Sequence, residues 1–228
     1  QEALVRQEKL ATLGQLAGGV GHELRNPLGV INNAVYYLQM ILPEADKKVK
    51  DYLSMIKRET TTAEKIINDL LDFSRIKSVD REPVAVHELF ERVLARFPAP
   101  ENVQVRMSIP TDLPQVFVDT QQIEQVVGNL VLNAYQAMPN GGTLTVSTAL
   151  AKRTVSLAIK DEGMGITPEN MGRLFEPLFT TKPKGIGLGL AVSKKLAEAN
   201  DSRIEVKSKP GEGSTFTIVL PIQGSMSK

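Results

Sequence analysis

Two stripes of apolar side chains run along the first 77 residues. The first recurs every three or four positions, at Leu10, Leu13, Ala17, Val20, Leu24, Leu28, Ile31, Val35, Leu38 and Leu42. The second keeps this spacing at Tyr52, Ile56, Glu59, Ala63, Ile66, Leu70 and Phe73, broken only by the charged Glu59. Such heptad-like spacing predicts two long helices that pack along a seam. Pro43 ends the first helix, because a residue before proline avoids helical geometry.

Two antiparallel helices cannot bury both stripes by themselves. Two such hairpins from two chains can do so as a four-helix bundle. We therefore expect residues 1–80 to form a dimerising helical hairpin, and residues 78–83 to act as a linker.

The pattern changes after the linker. Short alternating or apolar runs predict strands at 103–107, 144–147, 155–159, 204–207 and 215–219. Longer periodic segments predict helices at about 87–97, 119–138 and 187–199. Two strand hairpins are expected, 142–150 with 155–159 and 203–208 with 214–220. The predicted fold class is α+β, in which the helical hairpin is followed, over residues 81–228, by an α/β sandwich with helices on one face of a mixed sheet.

Composition narrows the function classes. The chain has 228 residues and a net charge of +1, which argues against a protein that coats nucleic acid or an anionic membrane. It contains no cysteine, so disulfides, thiolate metal sites and cysteine nucleophiles are excluded. No apolar run reaches the roughly 20 residues of a membrane span. Because the first residue is Gln1, we expect a cytoplasmic piece of a longer protein, without membrane contact of its own, whose parent can be membrane-tethered.

His22 is the first candidate for chemistry. It lies two residues from both Val20 and Leu24, and so about 200° around the helix from the seam. Glu23 follows it and could hold the ring tautomer or accept a proton, and a kink at Pro27 could expose the imidazole. Taken alone, a solvated surface histidine is the simpler interpretation. The second histidine, His87, has no such neighbours and is assigned to the surface.

Two further groups could bind a ligand. Asn129 and Asn133 are four apart and face the same side of an otherwise apolar helix, either as satisfied core amides or as oxygen ligands of Mg²⁺ beside a nucleotide. Asp161 follows a strand and could accept a hydrogen bond from an amino group. Gly163 and Gly165 would let the backbone approach a flat ligand.

A glycine-rich segment begins the last long helix, where backbone N–H groups can bind an anion. Its spacing fits neither a dinucleotide-binding fingerprint nor a P-loop. A phosphate-contacting loop of another type, with Lys182 and Lys184 as charge partners, and a flexible turn both remain open. The residues concerned are Gly185, Gly187, Leu188 and Gly189.

In this order, these motifs resemble the transmitter core of a sensor histidine kinase. The matching segments are 22–28 for the phosphoacceptor box, 129–133 for the asparagine box, 161–165 and 185–189 for the two glycine boxes, and 175–182 for the phenylalanine box. The resemblance implies a Bergerat-type ATP-binding sandwich from about residue 84 onward. It also implies ATP and Mg²⁺ as cofactors, a homodimer, and the receiver domain of a response regulator as partner, with no role for nucleic acid.

The resemblance assigns roles to the phosphoacceptor box. His22 would attack the γ-phosphate of ATP, and Glu23 would orient and deprotonate its ring. The phosphoryl group would then pass to an aspartate of the regulator. The Glu23-x-x-Asn26 spacing resembles the family's phosphatase motif, in which Asn26 would position water against the regulator's aspartyl phosphate.

The resemblance also assigns the nucleotide contacts. Asn133 would hold Mg²⁺ and Asn129 would contact the phosphates. Asp161 would bind the adenine amino group, with Thr215 assisting through water. Gly163 and Gly165 would make room for the base, and residues 166–184 would form a mobile lid.

The chain departs from the family pattern in four places, one of which, residues 199–202 in place of a common His-Gly-Gly turn, is taken as structural. Ile186 stands in place of a usual Thr, Leu178 in place of a frequent Phe, and Gln136 in place of a frequent Lys or Arg near the phosphates, so charge there must come from elsewhere. Three alternatives stay open: a core that acts mainly as a phosphatase, a Bergerat-fold ATPase of the gyrase kind, and a dimer scaffold that merely binds nucleotide.

Overall fold

A computed structural model of the chain describes residues 23–74, 78–182 and 187–223. The chain divides into two compact units, Gln1–Lys77 and Ser78–Lys228. Across the described residues, helices that combine the length and the apolar character of a membrane span are absent.

The first unit is a helical hairpin, as its stripes predict. Helix α1 covers residues 23–41 and helix α2 covers Lys47–Ser74. Leu28 packs against Ile67 and Leu71, and Val35 and Leu53 are also buried. Arg25 donates two hydrogen bonds to Asn68 Oδ1, at 2.7 and 3.2 Å. Polar groups lie deeper in the same interface: Thr60 is buried and donates to Asn32 Oδ1, and Asn32 donates to Glu64 at 2.8 Å.

The face of α2 that packs within the hairpin differs from the predicted stripe. The buried residues are Leu53, Thr60, Ile67 and Leu71, each one position after a member of the stripe. The stripe itself stays accessible, since Tyr52 is 56% exposed and Ile56 is 42% exposed. Ile31, Leu38 and Leu42 on the first stripe are about as exposed. The hairpin therefore has two apolar faces, and it covers only one of them itself.

The second unit is the predicted α/β sandwich, so the α+β fold class is confirmed. A five-stranded mixed sheet has the order β2-β4-β5-β7-β6, with β2 parallel to β4 and the other neighbours antiparallel. Its strands are β2 (Val103–Ser108), β4 (Gly142–Leu150), β5 (Thr154–Asp161), β6 (Arg203–Lys209) and β7 (Gly213–Pro221). The helices are α3 (Val86–Arg96), α4 (Thr120–Ala137), the short α5 (Pro168–Met171) and α6 (Gly189–Ala199).

The core lies between one face of this sheet and the helices. Along β5, Val155, Leu157 and Ile159 are buried and alternate with more exposed residues, as expected for a sheet covered on one side. Helix α4 is almost fully buried along its apolar face and packs against both α3 and α6. Asp161 lies on the same buried side of β5 as the strand's three buried apolar residues, so its carboxylate is at the end of the core.

The predicted linker at 78–83 is partly wrong. Residues Glu82–Val84 form strand β1, which pairs antiparallel with β3 (Val116–Val118) in a separate two-stranded sheet. Pro83 is tolerated there because an edge strand does not need every N–H group. Three-residue strands are also too short to show a period of two, so neither strand was predicted.

Candidate functional site

Helix α4 places two amides on one side, as the spacing predicts. Asn129 and Asn133 are both half-buried, so they lie at the rim of the core rather than inside it. Asn129 Nδ2 donates to Ser193 Oγ at 3.2 Å and to the Gly189 carbonyl at 3.4 Å. Because Gly189 is the first residue of α6, this amide connects α4 to the start of the last long helix.

The side-chain oxygen of Asn133 accepts a hydrogen bond from a lysine ammonium. Lys182 Nζ lies 2.7 Å from Asn133 Oδ1 and 2.6 Å from Gln136 Oε1. The charge missing at position 136 is thus supplied by a lysine 46 residues later in the chain. Sequence spacing alone could not reveal this pairing.

The same amide oxygens suit a hard metal ion. Mg²⁺ prefers oxygen ligands, and Asn133 Oδ1 already accepts a cation, the Lys182 ammonium. Within the described ranges there is no cluster of three or more His, Cys, Asp or Glu that could hold a metal by itself. A magnesium ion at Asn133 would therefore take most of its other ligands from water and from nucleotide phosphates, as Mg²⁺ commonly does.

Asp161 is a buried carboxylate, 2% exposed, at the end of β5. Its Oδ1 accepts the backbone N–H of Gly163 at 2.9 Å and of Ser214 at 3.2 Å. Burial raises the pKa of Asp161, and these backbone N–H groups and the charge of Lys182 partly oppose that rise. The result is a carboxyl group fixed in orientation, with both of these bonds on one of its oxygens.

The glycines after Asp161 are needed for packing of the protein on itself. A Cβ atom at Gly163 would lie 2.4 Å from the Ala137 carbonyl oxygen, and one at Gly165 would lie 2.1 Å from the Lys209 carbonyl oxygen. Gly165 also has a φ of 69°, which favours glycine. The backbone can lie this close to α4 and to the β6–β7 turn only without side chains at these two positions.

The position of Thr215 corrects a prediction. The register of β5 and β7 pairs Asp161 with Ser214, and Thr215 with Lys160. Paired residues point to the same face and successive residues to opposite faces, so Thr215 points away from the face of Asp161. Ser214 takes its place: it is buried, donates its N–H to Asp161, and shares a hydroxyl hydrogen bond of 2.9 Å with Ser208. A register shift of one residue is invisible in a sequence.

The second glycine segment lies at the start of α6. Gly187 has a φ of 73°, and a Cβ atom there would lie 2.2 Å from the Phe179 carbonyl oxygen. Leu188 is buried and Gly189 begins the helix beside Asn129. Gly185, together with Lys184 and Ile186, lies outside the described residues. The chain around Phe179 is thus packed directly against the glycine segment, and the Arg173 guanidinium lies 4.3 Å from the Phe179 ring centre.

His22 lies outside the described residues. Glu23 and Asn26 are in the first described turn of α1, and both are exposed. The helix runs on through Pro27 without interruption. The side chains of Glu23 and Asn26 are therefore open to solvent within the first unit.

Both units match known families. Residues 118–224 match the family of histidine kinase-, DNA gyrase B-, and HSP90-like ATPases, a range that includes α4, α6 and most of the sheet. Residues 12–79 match the His Kinase A (phospho-acceptor) domain. Because one chain carries both matches in this order, it belongs to the histidine kinases, as a transmitter core.

Individual relatives agree with this assignment. The signal transduction histidine-protein kinase AtoS of Escherichia coli (strain K12) is 35% identical over 97% of this chain, which spans 37% of the length of AtoS. The structure of histidine kinase ThkA in complex with response regulator protein TrrA is 25% identical, with a TM-score of 0.65 over 96% of this chain and 64% of that one. Full-length ShkA in complex with AMPPNP has a TM-score of 0.76 at 22% identity, over 91% of this chain and 46% of that one, and shows the shared fold.

Proposed function

We propose that the chain transfers the γ-phosphoryl group of ATP to His22 and then to an aspartate in the receiver domain of a response regulator. The observation that carries the proposal is the cluster at α4: a buried carboxylate, two amides on one helix face and a lysine ammonium. The matched ATPase and phospho-acceptor families, and the regulator bound to ThkA, support it. Residues 1–80 would accept and pass on the phosphoryl group, and residues 81–228 would bind ATP.

The nucleotide would be held by groups that are already oriented. Asp161 Oδ2 would accept the adenine amino group, since its Oδ1 is engaged by two backbone N–H groups. Asn129, Lys182 and the glycine segment 185–189 would contact the phosphates. Mg²⁺ held at Asn133 would neutralise charge on the phosphates. Catalysis would then depend mainly on positioning and charge, as is general in phosphoryl transfer.

In the proposed transfer step, His22 is the nucleophile and Glu23 is the base. A ring nitrogen of His22 forms a bond to the γ-phosphorus while the bond from that phosphorus to the β–γ bridging oxygen breaks. ADP departs and Glu23 takes the proton from the imidazole ring. The phosphohistidine then gives its phosphoryl group to the regulator's carboxylate.

Labelling from γ-labelled ATP with Mg²⁺ tests the proposal. A phosphoramidate should survive alkali and be lost in acid, and His22→Gln should abolish labelling while nucleotide affinity stays about the same. Label that persists in His22→Gln would refute the assignment of the acceptor. ATP hydrolysis without any phosphoprotein would favour the gyrase-like ATPase, and absence of nucleotide binding would favour the scaffold.

We also propose phosphatase activity toward the regulator, because Asn26 is exposed one turn after His22. Its amide would orient water for attack on the aspartyl phosphate. Asn26→Ala should slow dephosphorylation of the regulator far more than autophosphorylation. Equal effects on both reactions would count against a separate phosphatase role.

The exposed stripe of the hairpin supports a homodimer. Ile31, Leu38, Tyr52 and Ile56 are all accessible in one chain, and a second hairpin would cover them as a four-helix bundle. We place this dimer in the cytoplasm, tethered to a membrane or not by the rest of the parent protein.

A further inference from the structure

Lys182 connects the last part of the phenylalanine box, residues 178–182, to helix α4. Its ammonium lies within hydrogen-bond distance of two amide oxygens, 2.7 Å from Asn133 Oδ1 and 2.6 Å from Gln136 Oε1. Its backbone N–H donates to Thr180 Oγ1 at 3.0 Å, which turns the chain toward α4. At the other end of the segment, the Leu178 N–H donates to the Gly187 carbonyl at 3.0 Å.

The backbone of this segment is unusual as well. Leu178 has a φ of 64°, a conformation that a branched side chain rarely adopts. Its side chain is 44% exposed, so burial of that side chain does not compensate the strain. Contacts at both ends hold the segment in this form, and the Lys182 ammonium is part of one of them.

We propose that Lys182 occupies Asn133 Oδ1 when no nucleotide is bound and competes with the metal for that oxygen. The inference rests on the proposed function, in which Asn133 is the residue that holds Mg²⁺. Binding of a metal nucleotide then requires the ammonium to leave Asn133, after which it can pair with a phosphate. The lysine thus gates the metal position of the site.

Electrostatic repulsion prevents Mg²⁺ and the Lys182 ammonium from binding Asn133 Oδ1 at the same time. Mg²⁺ binds oxygen at about 2.0–2.1 Å, and an ammonium at 2.7 Å from the same oxygen would lie only about 4 Å from a divalent ion. Repulsion at that separation is large unless a phosphate lies between the charges. When the nucleotide supplies that phosphate, the lysine gains a better partner than a neutral amide.

Gln136 is the second component of the competition. Its neutral carbonyl provides the other half of the ammonium's site on α4. A lysine at position 136 would place a like charge within about 3 Å of Lys182 and expel it. The competition between Lys182 and the metal therefore depends on having a glutamine at position 136 together with a lysine at position 182.

The test is calorimetric titration of the full chain with ADP, once in EDTA and once in saturating Mg²⁺. The measured quantity is the ratio of the dissociation constant in EDTA to that in Mg²⁺. Loss of a phosphate contact alone raises both dissociation constants by the same factor and leaves their ratio unchanged. Loss of the competition lowers only the dissociation constant measured in Mg²⁺. Lys182→Met should raise the ratio about fivefold, because the apparent affinity in Mg²⁺ is the intrinsic affinity multiplied by the fraction of chains in which Asn133 Oδ1 is not occupied by the ammonium.

Two further variants sharpen the test. Gln136→Lys should raise the ratio in the same direction by expelling the ammonium. Lys152→Met removes an equal charge in the exposed turn before β5, at the opposite end of that strand from Asp161, and should leave the ratio unchanged. A ratio that stays the same or falls in Lys182→Met would overturn the inference while leaving the nucleotide site intact. Absence of ADP binding to the unsubstituted chain in both buffers would instead overturn the proposed function, and this inference with it.

Discussion

The two units use their apolar residues in opposite ways. In the sheet unit, residues such as Leu157 and Ile218 are fully buried within one chain, and the large apolar side chains exposed among its described residues are four: Met107, Leu150, Met164 and Leu178. In the hairpin, Leu53 and Ile67 are buried, while Tyr52 and Ile56, on a neighbouring face of the same helix, stay exposed. The sheet unit therefore completes its core alone, whereas the hairpin leaves an apolar face open, which the proposed second hairpin would cover.

The same contrast extends to polar groups. Asp161 in the sheet unit is enclosed and fixed by backbone N–H groups, which makes it suited to recognise one ligand group. Glu23 and Asn26 in the hairpin are exposed, which leaves them accessible to large partners. The proposed nucleotide site and the proposed phosphorylation motif thus belong to units of different construction.

The largest expected effect is on the closed core. Leu157→Ala should lower the free energy of unfolding of the sheet unit by about 2–5 kcal/mol, because it leaves a cavity on a central strand. Hydrogen exchange under increasing denaturant would report the two units separately. Leu150→Ala, at an exposed position on β4, should change the free energy by less than about 0.5 kcal/mol. Equal losses from both substitutions would contradict the contrast between closed and open faces.

The open face should respond through assembly instead. Ile56→Glu should weaken dimerisation by roughly a hundredfold, because each interface would bury two unpaired carboxylates. Sedimentation equilibrium across a range of protein concentrations measures this constant. Ser54→Glu adds the same charge to the helix about 200° away from Ile56 and should leave dimerisation nearly unchanged. If Ser54→Glu weakened the dimer as much as Ile56→Glu, the stripe would not be the interface.

Periodicity predicted most of this architecture, because long helices and central strands repeat their burial over many residues. It did not resolve which of two adjacent faces of α2 packs within the chain. Tyr52 and Leu53 are both apolar, and the choice between them depends on α1. The apolar stripe predicted from the sequence is the exposed face, which the proposed dimer would cover.

The site was predicted less completely, for related reasons. Asn129, Asn133 and Asp161 could be singled out because polar residues stand out in apolar elements. Thr215 was predicted to assist Asp161, but the strand register places Ser214 opposite that carboxylate and Thr215 on the other face. The contact between Lys182 and Gln136 could not be predicted either, because it depends on how the segment after Phe179 folds back onto α4.

A smaller effect should distinguish the enclosed carboxylate from exposed ones. The pKa of Asp161 is raised by burial, so the folded state holds this proton more tightly than the unfolded state. The free energy of unfolding should therefore fall as pH rises from the ordinary value of 3.8 through the raised pKa, and Asp161→Asn should remove that component.

Nucleotide binding should show the opposite slope with pH. In the proposed site, the ionised carboxylate accepts the adenine amino group more strongly than the protonated one, so ADP affinity should decrease by about tenfold as pH falls through the raised pKa of Asp161. Titration calorimetry at a series of pH values measures this. Asp51→Asn, at an exposed position on the hairpin, should leave the profile unchanged. A profile that persists in Asp161→Asn would assign the dependence to another group.

The smallest expected effect concerns helix caps, where both units use the same residue type. Asp46 Oδ1 accepts the Val49 N–H at 2.8 Å and caps the exposed start of α2. Asp119 caps α4 through the Gln122 N–H at 3.0 Å, and its other oxygen accepts the Asp80 N–H at 3.1 Å in a buried setting. Asp46→Ala should lower the free energy of unfolding of the hairpin by about 1 kcal/mol, measured by denaturant unfolding, and Asp46→Asn should restore most of it. Asp119→Ala should cost the sheet unit more, because this carboxylate bonds two N–H groups and the bond to Gln122 is buried. Costs of the same size at both caps would mean that burial adds nothing to the second one, against the contrast between the open and the closed unit.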